Sequence, residues 1–377
     1  MNVAFFYHSV VSDWNHGNAH FLRGVARELV RRGHSVRIFE PRDGWSRRNL
    51  LEQHGLSAVH EFRRAFPELR PIFYDAEKFD VEAATDGADV VLVHEWNEPA
   101  LVRRIGLCRE RSRRFALLFH DTHHRSVTAP REMRRYDLRH YDGVLAYGSV
   151  IRDLYLERAW TERAWTWHEA ADVHLFRPLL GREYAGDVVW IGNWGDGERT
   201  EEVQEFLLGP AHELELTGSI FGVRYPESAR RAISLAGLPY RGWVANHRVP
   251  EIFARHALTV HIPRRPYSRA LPGIPTIRPF EALACGIPLI SSPWDDVEGL
   301  FTAGSDYLVA HNGNEMRDLM RSVLEDASLA RDLAQHGRRT ILERHTCAHR
   351  VDELLAIAAG LGARVEPDRR AAAEGVS

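Results

Sequence analysis

Short, nearly continuous apolar runs alternate with segments of helical period along most of the chain, a pattern that calls for parallel sheets covered by helices on both faces. The first run, residues 3–7, is followed by Leu22, Val25, Ala26, Leu29 and Val30 at helical spacing. Asn18 is the predicted N-cap of that helix and Gly33 its stop. Residues 35–39 supply the second strand and close a βαβ unit with a right-handed crossover. Further strands are expected at residues 71–74, 89–94, 115–119, 143–147 and 164–168, giving one doubly wound domain of about 170 residues.

A second series starts with D-V-V-W-I-G at residue 187 and runs through H-E-L-E-L-T-G (212–218), A-L-T-V-H-I-P (257–263), G-I-P-L-I-S-S (286–292) and D-Y-L-V-A (306–310). Two α/β domains in tandem follow, with expected bounds 1–178 and 179–345 and a join loosened by Pro178 and Gly181. The rest reads as helices to about Gly360. Val351, Leu354, Leu355 and Ile357 give the last helix, 346–362, an apolar face suited to docking on the first domain, and residues 363–377 are expected to be a mobile tail.

Charge and cysteines narrow the classes of function. Lys+Arg number 49 against Asp+Glu 52, so no cationic surplus argues for nucleic acid as partner. Lys78 is the only lysine, which leaves arginine forks and backbone amides to grip any phosphate. Three cysteines without C-x-x-C spacing fit a reducing, cytoplasmic setting and supply no zinc framework. The first residues lack a basic leader, and no apolar run reaches the roughly 18 residues of a spanning helix.

The most informative stretch is L-P-G-I-P-T-I-R-P-F-E-A-L-A-C-G-I-P-L-I-S-S, residues 271–292. Thr276 is a candidate N-cap, Pro279 is tolerated in a first turn, and Gly286 ends the helix. The unpaired amides at the start of this helix, the positive end of its dipole and Arg278 make a site for a diphosphate. Glu281, one turn on, can accept hydrogen bonds from both hydroxyls of a ribose. The plainer alternative is a surface Arg278–Glu281 pair at i,i+3 spacing.

R-P-F-E-A-L-A-C-G-I-P-L-I resembles the donor-binding segment of group 1 glycosyltransferases of GT-B fold, and most closely the branch named for a spore maturation protein. H-E-A-A-D-V-H-L-F-R-P at 168–178 is similar to that family's lead into its second domain, and D-V-V-W-I-G-N-W-G-D-G-E-R at 187–199 to the first strand and glycine loop of its nucleotide domain. The resemblance implies two Rossmann-like, doubly wound domains facing each other across a cleft that closes by hinge motion. It implies a nucleoside-diphosphate sugar donor, with UDP favoured over GDP or dTDP, and neither a bound metal nor another cofactor.

Residue by residue, Glu281 matches the ribose carboxylate of a Glu-x7-Glu pattern, and the amides of Thr276 and Ile277 match those at the diphosphate. The other acidic position, expected to contact the donor sugar, is Gly273 here. Gly192 and Asn193 fall in the glycine loop, Arg199 follows it with charge for the phosphates, and Trp243 matches the region framing the base. Arg265 is a third cation, better read as structural or solvated.

Two loops at strand ends are candidates for acceptor and catalytic contacts: residues 12–18, with His16, and residues 120–124. His120 matches a histidine that touches the donor sugar in retaining members. A retaining reaction, in which the leaving phosphate takes the acceptor proton, is the first reading; an inverting one, with His16 as base and Asp121 orienting its ring, is the second. A metal site at His120, Asp121, His123 and His124 is disfavoured, because neighbours on one strand end seldom converge on one ion. A sugar-nucleotide epimerase and a non-catalytic nucleotide-sugar-binding protein stay open, whereas an oxidoreductase is disfavoured because the first βα turn lacks G-x-G-x-x-G. Acceptor and oligomeric state are not legible; Trp160, Trp165 and Trp167 serve a pocket or a core equally well.

Overall fold

The structure, a computed structural model, describes residues 1–112 and 114–366. Within them lie two compact units, Met1–Glu169 with residues 347–366, and Ala170–Thr346. Segment 170–178, expected in the first domain, belongs to the second. Ala171 pairs with Thr346 as an isolated parallel bridge, its amide donates to the His345 carbonyl at 2.9 Å, and Phe176 is buried.

The first unit holds seven parallel strands: β1 (Asn2–Phe6), β2 (Ser35–Pro41), β3 (Ile72–Tyr74), β4 (Val90–His94), β5 (Ala116–Asp121), β6 (Gly143–Ala146) and β7 (Ala164–Thr166). Their order is β3-β2-β1-β4-β5-β6-β7, so the chain reverses direction across the sheet between β1 and β4. Val3 sits between Val36 and Val90 in register, and Phe5 between Ile38 and Leu92. A strand flanked by neighbours on both edges and helices on both faces has no solvated side, which is why these runs are apolar throughout.

The helix Ala19–Arg31 follows β1. Asn18 stands at its N-cap but is itself helical, at φ −63° and ψ −15°, and makes no side-chain cap. Its amide Nδ2 instead donates to Glu169 Oε1 at 2.7 Å, a partner 151 residues away. The last helix, Cys347–Gly360, packs on Ala19–Arg31 through buried Val351, Leu354 and Ala358, and the Arg350 carbonyl accepts from Trp167 Nε1 at 2.9 Å. Leu355 and Ile357 are only half-buried, so the docking face is narrower than the sequence suggests. Of the expected tail, Glu366 still receives a hydrogen bond from the Met1 amino group, while residues 367–377 lie outside the described residues.

The second unit is built on β8 (Gly186–Ile191), β9 (Gly218–Phe221), β10 (Tyr240–Gly242), β11 (His256–His261), β12 (Leu289–Ser291) and β13 (Leu308–Val309), parallel and ordered β10-β9-β8-β11-β12-β13. H-E-L-E-L-T-G is not a strand. Its alternation comes from the end of the helix Gly209–Glu213: the Leu216 amide returns to the Ala211 carbonyl at 2.9 Å, Glu215 is left-handed at φ +53°, and the strand begins only at Gly218.

Both sheets have a point where strand order reverses, β1/β4 and β8/β11, and the carboxyl ends of strands at such points are where α/β folds bind ligands. In the first unit a buried pair fixes the loop there. Arg23 reaches back with Nε to the Val10 carbonyl at 2.5 Å, NH2 to the Val11 carbonyl at 3.1 Å and NH1 to Asp13 Oδ2 at 2.8 Å, with both side chains almost wholly buried. Asp13→Ala strands that guanidinium and should lower unfolding free energy by about 3 kcal/mol. Urea denaturation checks this; an unchanged midpoint would mean the pair does not hold the loop.

Candidate functional site

In the second unit, chain leaving β8 and β11 meets the start of the helix Ile277–Cys285. Gly192 follows β8 where nothing larger fits, because a Cβ would lie 2.9 Å from the Trp190 ring. The Gly192 carbonyl accepts from the Tyr225 hydroxyl at 2.6 Å, and Asn193 Oδ1 accepts from the Val223 amide at 3.0 Å. Arg199 donates from Nε to the Asn193 carbonyl at 3.1 Å and from NH1 to the Ile262 carbonyl at 2.9 Å, tying the two strand ends together.

Arg199 is therefore a tether as well as a charge. Loss of hydration first, then the Arg264 and Arg278 guanidiniums, draw its pKa below the usual range. His261, at the end of β11, has its pKa pulled down to about 3 by burial and then by Arg199 and Arg278. Its Nδ1 pairs with Ser291 Oγ at 2.9 Å. Arg199 and His261 thus both lie in the field of neighbouring guanidiniums, and an anion placed there relieves the repulsion.

The helix begins where the sequence places it, and Gly286 ends it at φ +67°. Thr276 occupies the N-cap without a side-chain cap. Its backbone lies at φ +63°, ψ −177°, a region that essentially only glycine adopts freely. A β-branched residue there stores about 1–3 kcal/mol of strain, at the turn whose amides were assigned to a diphosphate. Pro279 has no amide, so Ile277 and Arg278 supply the helical N–H groups that open this end.

Glu281 differs from expectation. It is 0% exposed, its Oε1 accepts from Asn246 Nδ2 at 2.6 Å, and its Oε2 pairs with Arg278. The i,i+3 pair thus forms, but inside the unit: Arg278 is 19% exposed. With both oxygens bonded and no exposed face, this carboxylate holds Arg278 and Asn246 in this structure. Trp243 follows β10, half-buried, three residues before Asn246. Of the two arginines after β11, Arg265 is bound to Glu202 at 2.7 Å and the Gly197 carbonyl at 3.0 Å, a structural role. Arg264, not singled out in the sequence, is the one whose charge Arg199 senses.

In the first unit, the ends of β1, β4 and β5 and the loop after β1 gather four buried imidazoles. Ring centroids lie 5.3 Å apart for His8 and His16, 6.0 Å for His16 and His94, and 5.6 Å for His94 and His120. Neither ring nitrogen of His120 has a hydrogen-bond partner among the described residues; the ring packs on Trp167 at 4.8 Å and Phe21 at 5.9 Å. Burial brings the pKa of His120 down to about 3, and burial followed by the Arg23 charge does the same to His16. Trp167 is fully buried in this core.

The expected dyad is not formed. Asp121 Oδ2 accepts from the Tyr155 hydroxyl at 2.9 Å and Oδ1 from the His123 amide at 3.1 Å, rather than orienting His16. Burial and then the Glu95 charge push the pKa of the Asp121 carboxyl well above the usual carboxylate range. Glu95 pairs with Arg125, which lies over the Trp96 ring at 4.1 Å. No cluster of three or more His, Cys, Asp or Glu able to hold a metal occurs among the described residues, His120, Asp121, His123 and His124 included.

With this geometry in hand, the chain compares with known proteins as follows. Residues 199–356 match a family described as "Glycosyl transferase-like". No curated protein matches the chain. Among solved structures, sucrose-phosphate synthase from Thermosynechococcus elongatus is similar at TM-score 0.64 and 15% identity, covering 96% of this chain and 99% of its own. Anabaena HepE in complex with UDP and glucose is similar at TM-score 0.66 and 14% identity, with 95% and 99% covered. A glycosyltransferase from Rickettsia africae gives TM-score 0.66 at 10% identity, with 96% and 98% covered. The chain thus has the α/β GT-B fold, with two parallel-stranded Rossmann-like units, and its residues 199–356 are similar to the glycosyltransferase-like family. No helix among the described residues is long and apolar enough to cross a membrane.

Two measurements probe the site without a ligand. Thr276→Gly removes the strain and should raise stability by about 1 kcal/mol, read from chemical denaturation; a loss of stability would show the threonine is held without strain. A histidine depressed in the folded state binds its proton only on unfolding, so its contribution is complete above about pH 6.5 and is lost as pH falls towards 3. His120→Phe should therefore flatten the rise of unfolding free energy with pH between 4 and 6 by about 1.4 kcal/mol per pH unit. An identical slope in both proteins would place the His120 proton elsewhere.

Proposed function

We propose that the protein transfers a sugar from a nucleoside-diphosphate sugar, UDP preferred, to an acceptor handled by the first unit. One observation carries this reading: Arg199 feels the charges of Arg264 and Arg278, and Arg278 stands in the first turn of the helix Ile277–Cys285, whose N-cap is the strained Thr276. A diphosphate fits that cluster by charge, by the amides of Thr276 and Ile277, and by the helix dipole. Cationic stabilisation of the departing nucleoside diphosphate is also what sugar transfer without a metal demands. The glycosyltransferase-like match over residues 199–356 and the UDP held by Anabaena HepE support the same donor class. The motif R-P-F-E-A-L-A-C-G-I-P-L-I supports the finer placement in the spore maturation protein branch.

Gly192 and Asn193 shape the loop beside the phosphates, and Trp243 frames the base next to Asn246. Glu281 acts here by holding Arg278 and Asn246, and ribose hydroxyls reach its carboxylate where Asn246 gives way. The retaining route is preferred over the inverting one because Asp121 is committed to Tyr155, which leaves His16 without its expected orienting carboxylate. His120 is assigned to the donor sugar. Three buried cysteines, none in a disulfide, support a cytoplasmic setting.

Titration calorimetry with UDP at fixed salt tests the assignment. Arg278→Ala and Glu281→Ala should each weaken binding by about 1–3 kcal/mol, the loss of charge-assisted hydrogen bonds or of the group that aims them. UDP affinity untouched by both substitutions would remove this helix opening from the nucleotide site.

A further inference from the structure

Gly273 lies at φ +83°, three residues before the turn at Thr276. A Cβ built on it would fall 2.7 Å from Oε1, 2.8 Å from Cγ and 3.1 Å from Cδ of Glu298. The space that a side chain at 273 would enter is therefore already filled by a carboxylate from another part of the unit. The loop carrying Glu298 is pinned in place. The Gly273 amide donates to the Asp295 carbonyl at 2.6 Å, and the Asp296 carboxylate accepts from the amides of Leu300 and Phe301 at 3.0 and 2.8 Å.

A carboxylate beside a diphosphate site repels phosphate oxygens and accepts hydrogen bonds from hydroxyls. In a sugar nucleotide, the hydroxyl-bearing group joined to the outer phosphate is the sugar. Resting on the donor reading above, we propose that Glu298 is the carboxylate that takes hydroxyls of the donor sugar, standing where a side chain at position 273 would otherwise project. The glycine at 273 suits that arrangement: its positive φ strains any larger residue, and a Cβ there would have to displace the Glu298 carboxyl.

The test is calorimetry with UDP, UDP-glucose, UDP-galactose and UDP-N-acetylglucosamine, together with UDP release from each sugar nucleotide, on the wild type, Glu298→Gln and Glu298→Ala. UDP affinity should stay within about twofold in both variants. For the sugar nucleotide the wild type binds best, affinity and UDP release should fall on the order of tenfold, because a charged acceptor becomes a neutral amide or is lost. Sugar-nucleotide affinity and release equal to wild type in Glu298→Gln, with UDP binding intact, would overturn the proposal. So would equal losses for UDP and sugar nucleotides accompanied by a lower melting temperature, which would make Glu298 a seat for its loop. A wild type that binds none of the four ligands would instead refute the nucleotide reading beneath it, before any substitution is made.

Discussion

Arg199 ties the chain leaving β8 to the chain leaving β11 while feeling the charges of Arg264 and Arg278, and the candidate site of the second unit is arranged around it. Like charges brought this close destabilise a fold unless something compensates, and each has a partial remedy. Arg199 spends donors on the Asn193 and Ile262 carbonyls, Arg264 lies 3.3 Å from Glu198, and Arg278 leans on the buried Glu281. The remaining positive field meets a helix N-terminus and a threonine held in glycine's conformational territory. Strain and like charge at one turn cost stability, and an anion bound there would offset the charge.

The first unit solves a different problem. Its strand ends carry His8, His94 and His120 with His16 beside them, all buried and all held neutral at physiological pH by lost hydration. The pKa of Asp121 is pushed the other way, upward, by the same loss of hydration. Such a site offers neutral donors and acceptors instead of fixed charge, a chemistry suited to hydroxyls. Charge occurs there in pairs: Arg23 with Asp13, and Glu95 with Arg125, which lies over Trp96 beside Tyr136.

Most of the fold was legible because strands buried on two faces must be apolar along their whole length: all seven strands of the first sheet fall within a residue or two of their apolar runs. Legibility failed where one pattern serves two structures, as at Leu214 and Leu216, where a helix end imitates strand alternation. The helix 277–285 and its glycine stop were written locally, in Pro279 and Gly286. The partners of its carboxylate were not, since Asn246 is 35 residues away in sequence and only the folded sheet brings it to Glu281. Arg264 and Arg265 are indistinguishable as neighbours in sequence; the short helix Arg265–Ala270 decides between them by turning Arg265 to Glu202. Glu298 carries no sequence signal at all, because its relation to Gly273 is purely spatial.

The most direct measurement is a crystal structure of the protein with UDP. The account predicts phosphate oxygens on the backbone amides of Thr276 and Ile277, within reach of Arg278 and Arg264, with Thr276 still at positive φ. UDP bound away from that turn, or a helix opening left empty at saturating nucleotide, would contradict it.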